Sequence, residues 1–371
     1  MVIRLMRRCE ICGLPSDEIS SSIGICVSCI RRLNEALGRV RETRSSWRRY
    51  IGLPESPPRG GGVKCSLCVN ECEIPPGGLG YCGIMRNSEN RLTTITGDFN
   101  VAYMHYYYDP LPTNCVAEPV CPERRHYGYH NLAVFFAGCN LDCLYCQNIE
   151  HKYMIAHGKV HERAHLHSVQ ELVDRAMRER VACVCYFGGD PAPHAIYAIK
   201  ASRKILEESS RRSTRRRICW ETNGLENINI MKEMARISLE SGGIVKIDWK
   251  AYTPAVYEAL TGVNGEKAVN RIKKNVKIIK ELEEKREEGI PLLVVSTLVV
   301  PHYVDSVEVY NIARYLAEID PNTPYVLLAF APHHLMHDVP TTSKKQMESV
   351  YKAALEAGLK NVYIGNYWLL R

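Results

Sequence analysis

Three cysteines stand close together in the stretch GCNLDCLYCQN, residues 138–148: Cys139, Cys143 and Cys146. A structural zinc ion takes four protein ligands, and a redox dithiol needs two. Three thiolates suit a [4Fe–4S] cluster: they hold three irons and leave the fourth with an open coordination position, a place for chemistry. The competing explanations are a zinc ion completed by a distant ligand, and free structural thiols. Two further groups have ligand spacing. Cys9, Cys12, Cys26 and Cys29 form the C-x2-C-x13-C-x2-C pattern of a zinc ribbon or knuckle. Cys65, Cys68, Cys72 and Cys82 suit zinc or a second iron–sulfur cluster, since thiolates bind either. Cys115 and Cys121, on a proline-containing loop, are candidates to replace or supplement that last group. Cys183 and Cys185, on one face of a strand, and Cys219 on the next strand read as core packing.

The chain has 371 residues, room for one catalytic domain and a small appendage. Its longest apolar run, PLLVVSTLVVP (291–301), is too short to span a bilayer, and the opening MVIRLMRRCE has no apolar signal core. A cytoplasmic location with no membrane partner is expected. Sixteen cysteines at two- and three-residue spacings serve metals better than disulfides in a reducing compartment. The formal charge of +7 is unevenly placed: residues 1–64 hold 12 Lys/Arg against 6 Asp/Glu, and the remainder 36 against 35. The basic start is compatible with an acidic partner or with a solubilising face.

Composition divides the chain into a zinc-ribbon-like module (1–38), a basic Pro/Gly-rich linker (39–62) expected to be a flexible joint, a Cys-rich extension (63–130) and a regular region (131–371). In the last, apolar runs alternate with amphipathic stretches: NLAVFFAG, ACVCYFGG, RICWETNG, GIVKIDWKA, PLLVVSTLVVP and PYVLLAFAP, then a final NVYIGN. The helix after the first run opens on a capping box, Ser168-x-x-Glu171. Six β-then-α units predict an α/β fold with a parallel sheet, a partial TIM-type (β/α)6 barrel preceded by the Cys-rich extension. The strand ends favour the barrel over an open sheet. They carry in turn the three-cysteine loop, Gly188-Gly189-Asp190-Pro191, Glu221-Thr222-Asn223-Gly224, Asp248 with Lys250, His302-Tyr303 and His333-His334. Barrel active sites are built at that end. The run RRSTRRR (211–217) falls at the opposite end and reads as a solvated loop.

GCNLDCLYCQN, the GGDP turn and the Asp248/Lys250 pair resemble the radical S-adenosylmethionine (radical SAM) superfamily, in its activase-like branch around the pyruvate formate-lyase activating enzymes. KCSLCVNECEIPPGGLGYCGIMRN and the tail FAPHHLMHDVPTTS…AGLKNVYIGN resemble the radical enzymes of the AmmeMemoRadiSam system, and the likeness covers about 63–371. The resemblance implies that S-adenosylmethionine chelates the open iron, is cleaved reductively to methionine and a 5′-deoxyadenosyl radical, and that this radical takes hydrogen from a substrate. It places Tyr145 beside cluster and adenine, and Gly188 and Gly189 at the methionine amino group. Asp190, Thr222 and Asn223 join the cofactor pocket, and Asp248 and Lys250 face the cofactor's carboxylate or ribose, or the substrate. The family's GGEP turn has Glu where this chain has Asp190. A reduced ferredoxin- or flavodoxin-type donor is the implied partner, and a glycyl protein, an RNA or a small metabolite are all compatible substrates. Two other classes compete: a zinc-ribbon nucleic-acid adaptor, which needs no open iron, and an electron-transfer protein, which needs no cofactor pocket.

Overall fold

A computed structural model describes residues 6–33, 37–113, 115–286 and 289–371. The N-terminal part is built from short pieces: strands β1 (Arg7–Arg8) and β2 (Pro15–Ser16), then helices α1 (Val27–Arg32) and α2 (Gly38–Tyr50). The Cys-rich extension adds β3 (Val63–Lys64) paired with β4 (Glu73–Ile74), and the hairpin β5 (Met85–Ser88) with β6 (Arg91–Thr94).

The apolar runs then lie side by side. Strands β8 (His130–Phe136), β10 (Val181–Phe187), β11 (Arg217–Thr222), β12 (Val245–Asp248), β13 (Leu293–Val299), β14 (Tyr325–Ala329) and β15 (Val362–Gly365) are parallel neighbours in that order. A long strand, β7 (Val101–Pro110), pairs antiparallel with β8, and the short β9 (Leu166–Ser168) pairs antiparallel with β7. The two ends of this nine-stranded sheet do not pair, so the barrel is partial, as the six-unit pattern predicts. Strand β7 departs from the sequence reading: its aromatic run Tyr106–Tyr108 hides the alternation, and the pairing with β8 decides the matter.

The crossover helices cover the outside: α4 (Val169–Ala176), α5 (Ala195–Arg211), α6 (Ile228–Ser241), α9 (Ser306–Ile319) and α10 (Lys344–Glu356), with the short α3 (Glu150–Tyr153) after β8. In α4 the capping box is formed, Ser168 Oγ accepting from the Glu171 amide at 3.1 Å. The amphipathic stretch after β12 is two helices, α7 (Pro254–Thr261) and α8 (Gly265–Glu283). Gly262, at φ +79°, ends the first in the left-handed conformation glycine tolerates, and Asn264 caps the second by accepting from Lys267 N at 2.9 Å. Because side chains alternate along a strand, Val184, Tyr186 and Trp220 point outward under the helices, with Trp220 Nε1 bonded to Met234 O at 3.0 Å. The other row points into the barrel: Cys183, Cys185 and Phe187 of β10, Arg217, Cys219 and Glu221 of β11, Lys246 and Asp248 of β12.

The segment read as a flexible joint includes nearly all of helix α2, whose arginines divide: Arg39, Arg41 and Arg49 are exposed, and two are turned inward. Arg44 and Arg48, one helical turn apart, are buried. The first module likewise packs on the barrel. Arg31 of α1 makes paired bonds to Asp305 at 2.8 and 2.6 Å and reaches Glu308 at 2.8 Å. Arg7 meets Asp338 at 3.0 Å, Arg41 meets Glu258 at 2.6 Å, and Ile19, Ile23 and Ile30 are fully buried. Much of the N-terminal positive charge is therefore matched by carboxylates of the same chain. No described helix is long and apolar enough to cross a membrane.

Candidate active site

The C-terminal ends of β8, β10, β11 and β12 surround one cavity of about 200 Å³. Its lining includes Cys139, Cys143, Cys146, Tyr145, Gly188, Gly189, Asp190, Thr222, Asn223, Asp248 and Lys250. Every residue that the sequence assigned to cluster and cofactor thus faces the same space. The later strand ends behave differently from expectation. None of His302, Tyr303, His333 or His334 lines the cavity. The Tyr303 hydroxyl accepts from Ser20 N at 3.0 Å and so holds the first module, while His334 packs on Trp47 of α2 with ring centroids 4.7 Å apart. The position of His and Tyr at a strand end was the signal; what the sequence hid was the module seated over those ends.

The cysteine loop is held by buried charge. Asp142, between Cys139 and Cys143, lies 3.3 Å from Arg48 Nη1 and 3.8 Å from Lys152 Nζ. Burial alone would raise the Asp142 pKa, but Arg48, Lys152 and Arg44 hold it below the usual carboxylate range. Lys152 also donates to the carbonyls of Cys139 (3.1 Å) and Leu141 (2.9 Å), and Arg44 to those of Asp142 (3.1 Å) and Ala259 (2.8 Å). Arg48 reaches on to Tyr81 O at 2.6 Å and stacks 3.7 Å above the Tyr81 ring, so one guanidinium joins the loop to the Cys-rich extension. Asn70 Nδ2 ties the two again by donating to Asn140 O at 2.7 Å. Sequence reasoning missed these residues; the four-residue spacing of Arg44 and Arg48 was the available signal. Arg48→Met should cost about 3–5 kcal/mol, because it strands the Asp142 carboxylate with weaker partners in the interior. The expected result is a lower melting temperature and poorer iron retention, measured by calorimetry and iron analysis; an unchanged melting temperature would refute the clamp.

Gly188 and Gly189 have φ of +65° and +58°, a conformation glycine adopts without strain. A side chain on Gly189 would collide with the carbonyl oxygens of Phe136 and Gly138, so the turn lies flat against the end of β8. Asp190 follows with its carboxylate fully engaged: it accepts from Ala192 N at 2.8 Å, Asn223 N at 2.9 Å and Thr222 Oγ1 at 3.2 Å. It therefore caps the following turn and pins the end of β11, and burial pushes its pKa up to about 6. Thr222 also donates to Glu226, whose pKa burial and the neighbouring Asp190 push up to about 8. Asn223 Nδ2 donates to Asn140 Oδ1 at 2.6 Å, joining the third strand end to the cysteine loop.

Across the cavity Lys250 is ion-paired with Asp248. Burial opposes both charges, yet their mutual attraction prevails, holding Asp248 below and Lys250 above its ordinary pKa. Deeper down, Lys246 meets Glu221 at 3.1 Å. Asp248 Oδ1 and the Tyr145 hydroxyl are buried without a hydrogen-bond partner, as is the Asp142 Oδ2 behind the loop. Polar atoms left open beside three thiols and a glycine turn are a donor set that fits a bound polar cofactor.

Residues 133–316 match the family model of the Radical SAM superfamily. Over those residues the chain carries a radical SAM domain. A relative, the uncharacterized protein MJ0808 of Methanocaldococcus jannaschii, is 25% identical over 313 residues, covering 82% of this chain and 81% of its own length. Among solved structures, a domain of a pyruvate-formate lyase-activating enzyme from Bacteroides vulgatus aligns at 20% identity and TM-score 0.37, over 50% of this chain and 99% of its own. Streptococcus suis SuiB bound to S-adenosylmethionine aligns at 13% identity and TM-score 0.42, over 61% of this chain and 47% of its own.

The remaining cysteines of the chain fall into distinct groups. The Sγ atoms of Cys9, Cys12, Cys26 and Cys29 all lie within 4.8 Å of one another, a set able to hold a metal ion. Cys65, Cys68, Cys72 and Cys82 are near enough for Cys82 and Cys72 to add to the burial that raises the Cys65 pKa, and amides of Tyr81 and Ile84 donate to Cys72 and Cys82 sulfur at 3.5 Å. Cys115 and Cys121 do not supplement that group. Cys115 Sγ lies 3.6 Å from Glu221, and Cys121 stands near enough to Cys219 to add to the burial that raises the Cys219 pKa.

Proposed function

We propose that the protein is an activase-like radical SAM enzyme that abstracts hydrogen from a polypeptide, a glycyl residue being the substrate class that the resemblance favours. The observation that carries the chemistry is the convergence of Cys139, Cys143, Cys146, the Gly188-Gly189 turn and the Asp248/Lys250 pair on one cavity. Cys139, Cys143 and Cys146 hold three irons of a [4Fe–4S] cluster. Together with S-adenosylmethionine, the cluster would supply reductive radical chemistry able to take hydrogen from a substrate.

The chain's own residues position and shield that chemistry. Backbone groups of Gly188 and Gly189 face the amino end of the cofactor, with Asp190 acting behind them as a positioning residue because its carboxylate is spent on Ala192, Thr222 and Asn223. Tyr145 offers a free hydroxyl, and Lys250, steered by Asp248, offers the positive charge for a carboxylate. At the cavity's rim Asn366 is followed by Tyr367 and Trp368, both more than 60% exposed, an aromatic pair suited to a polypeptide. The first module holds zinc through Cys9, Cys12, Cys26 and Cys29. Cys65, Cys68, Cys72 and Cys82 would hold zinc or a second iron–sulfur cluster beside the catalytic loop, and a ferredoxin- or flavodoxin-type donor in the cytoplasm would supply the electron.

The experiment is hydrogen tracing. Extract from cells grown on deuterated amino acids is separated into protein, RNA and small-molecule fractions and supplied to the reduced enzyme with S-adenosylmethionine. Deuterium in 5′-deoxyadenosine is expected with the protein fraction. Deuterium transfer from the RNA or small-molecule fraction alone would overturn the substrate class.

A further inference from the structure

Sixteen cysteines make three ligand sets of four, four and three, and the five left over do not scatter. Cys183 and Cys185 lie on the inward row of β10, and Cys219 on that of β11, directly in register with Cys185. Cys115 and Cys121 come from the loop between β7 and β8, which turns back into the N-terminal end of the barrel. There Ala117 and its neighbours Cys115, Val116 and Val120 pack on Ile244, just before β12, and on Val294 and Val326, the first inward residues of β13 and β14. Arg217 anchors the same loop through Glu123 at 2.5 Å. The loop is thus a plug, and it brings two thiols to three others inside a closed barrel end.

We propose that this barrel end is a further metal site, in which Cys115, Cys121, Cys219 and the β10 cysteines bind an iron–sulfur cluster; their sulfurs are not drawn together as those of Cys9, Cys12, Cys26 and Cys29 are, which speaks against a single zinc ion. Single buried cysteines pack as small hydrophobes, but five converging from three separate segments with a carboxylate beside them form a ligand field. All five are free thiols, so no disulfide accounts for them. Cys115, Cys121 and Cys219 keep partial exposure, which gives an entry path from the barrel's closed end. Glu221 also lines the active-site cavity, which sets the site directly beneath its floor. This site stands independently of the function proposed above.

The test loads the full chain anaerobically, once with iron and sulfide and once with zinc alone, and compares it with the double variant C115S/C121S. One cluster's worth of iron and sulfide is expected to disappear from the variant, with its zinc content unchanged. Its S-adenosylmethionine-responsive electron paramagnetic resonance (EPR) signal should stay unchanged. Equal iron and sulfide content in wild type and variant would overturn the site. Should the variant fail to fold, alkylation of the metal-loaded wild type decides. Cys115, Cys121 and Cys219 should be protected until a chelator is added; labelling that is equal before and after chelation would overturn it.

Discussion

Cys143→Ala is expected to abolish 5′-deoxyadenosine formation while the barrel stays folded. Cys143 is partly exposed on the cavity wall, so removing its sulfur deletes little packing and should cost about 1 kcal/mol. The effect on iron is far larger, because each of the three thiolates holds one iron and the loop contains no replacement. Burial raises the Cys143 pKa, and the strongest opposing influence is the Lys250 ammonium across the cavity. Iron and sulfide analysis should show one cluster missing, with the metal of the other cysteine sets retained. Normal turnover in this variant would remove the cluster assignment altogether.

Lys250→Met should weaken S-adenosylmethionine binding or stop turnover with little loss of iron. Methionine keeps most of the volume and removes the charge. Asp248 loses its ion-pair partner, yet Lys246 still lowers its pKa, so the stability cost should be roughly 2 kcal/mol, less than for an isolated buried carboxylate. The separation of causes is the point of the experiment. A structural pair would lower the melting temperature and leave cofactor affinity and rate intact, and that outcome would withdraw Asp248 and Lys250 from the site. A binding residue would shift affinity by more than the stability loss explains.

The barrel was legible because periodicity and termination agreed: apolar runs of strand length, each closed by glycine or polar groups, alternating with capped amphipathic stretches. The Ser168 cap, α9 and the order of the parallel strands follow from that pattern. The catalytic face was legible through residue type, since cysteine triplets, Gly-Gly and Asp-x-Lys at successive strand ends have few other uses. What local pattern could not carry was long-range. Strand β7 is decided by its pairing with β8, and the Arg48–Asp142 contact spans the chain from α2 to the cysteine loop. The basic N-terminus looked like a face for a partner because its carboxylate partners, Asp305, Glu308 and Asp338, lie far away in sequence. Cys115 and Cys121 were paired by proximity in sequence with the extension, whereas the plug carries them to β10 and β11.

The open iron is the centre of the account, and spectroscopy with product analysis addresses it directly. The full chain is reconstituted anaerobically, reduced, and mixed with S-adenosylmethionine. The predicted result is a [4Fe–4S] EPR signal that changes on adding S-adenosylmethionine, followed by methionine and 5′-deoxyadenosine in equal amounts. A signal that S-adenosylmethionine leaves unchanged, with neither product formed, would contradict it.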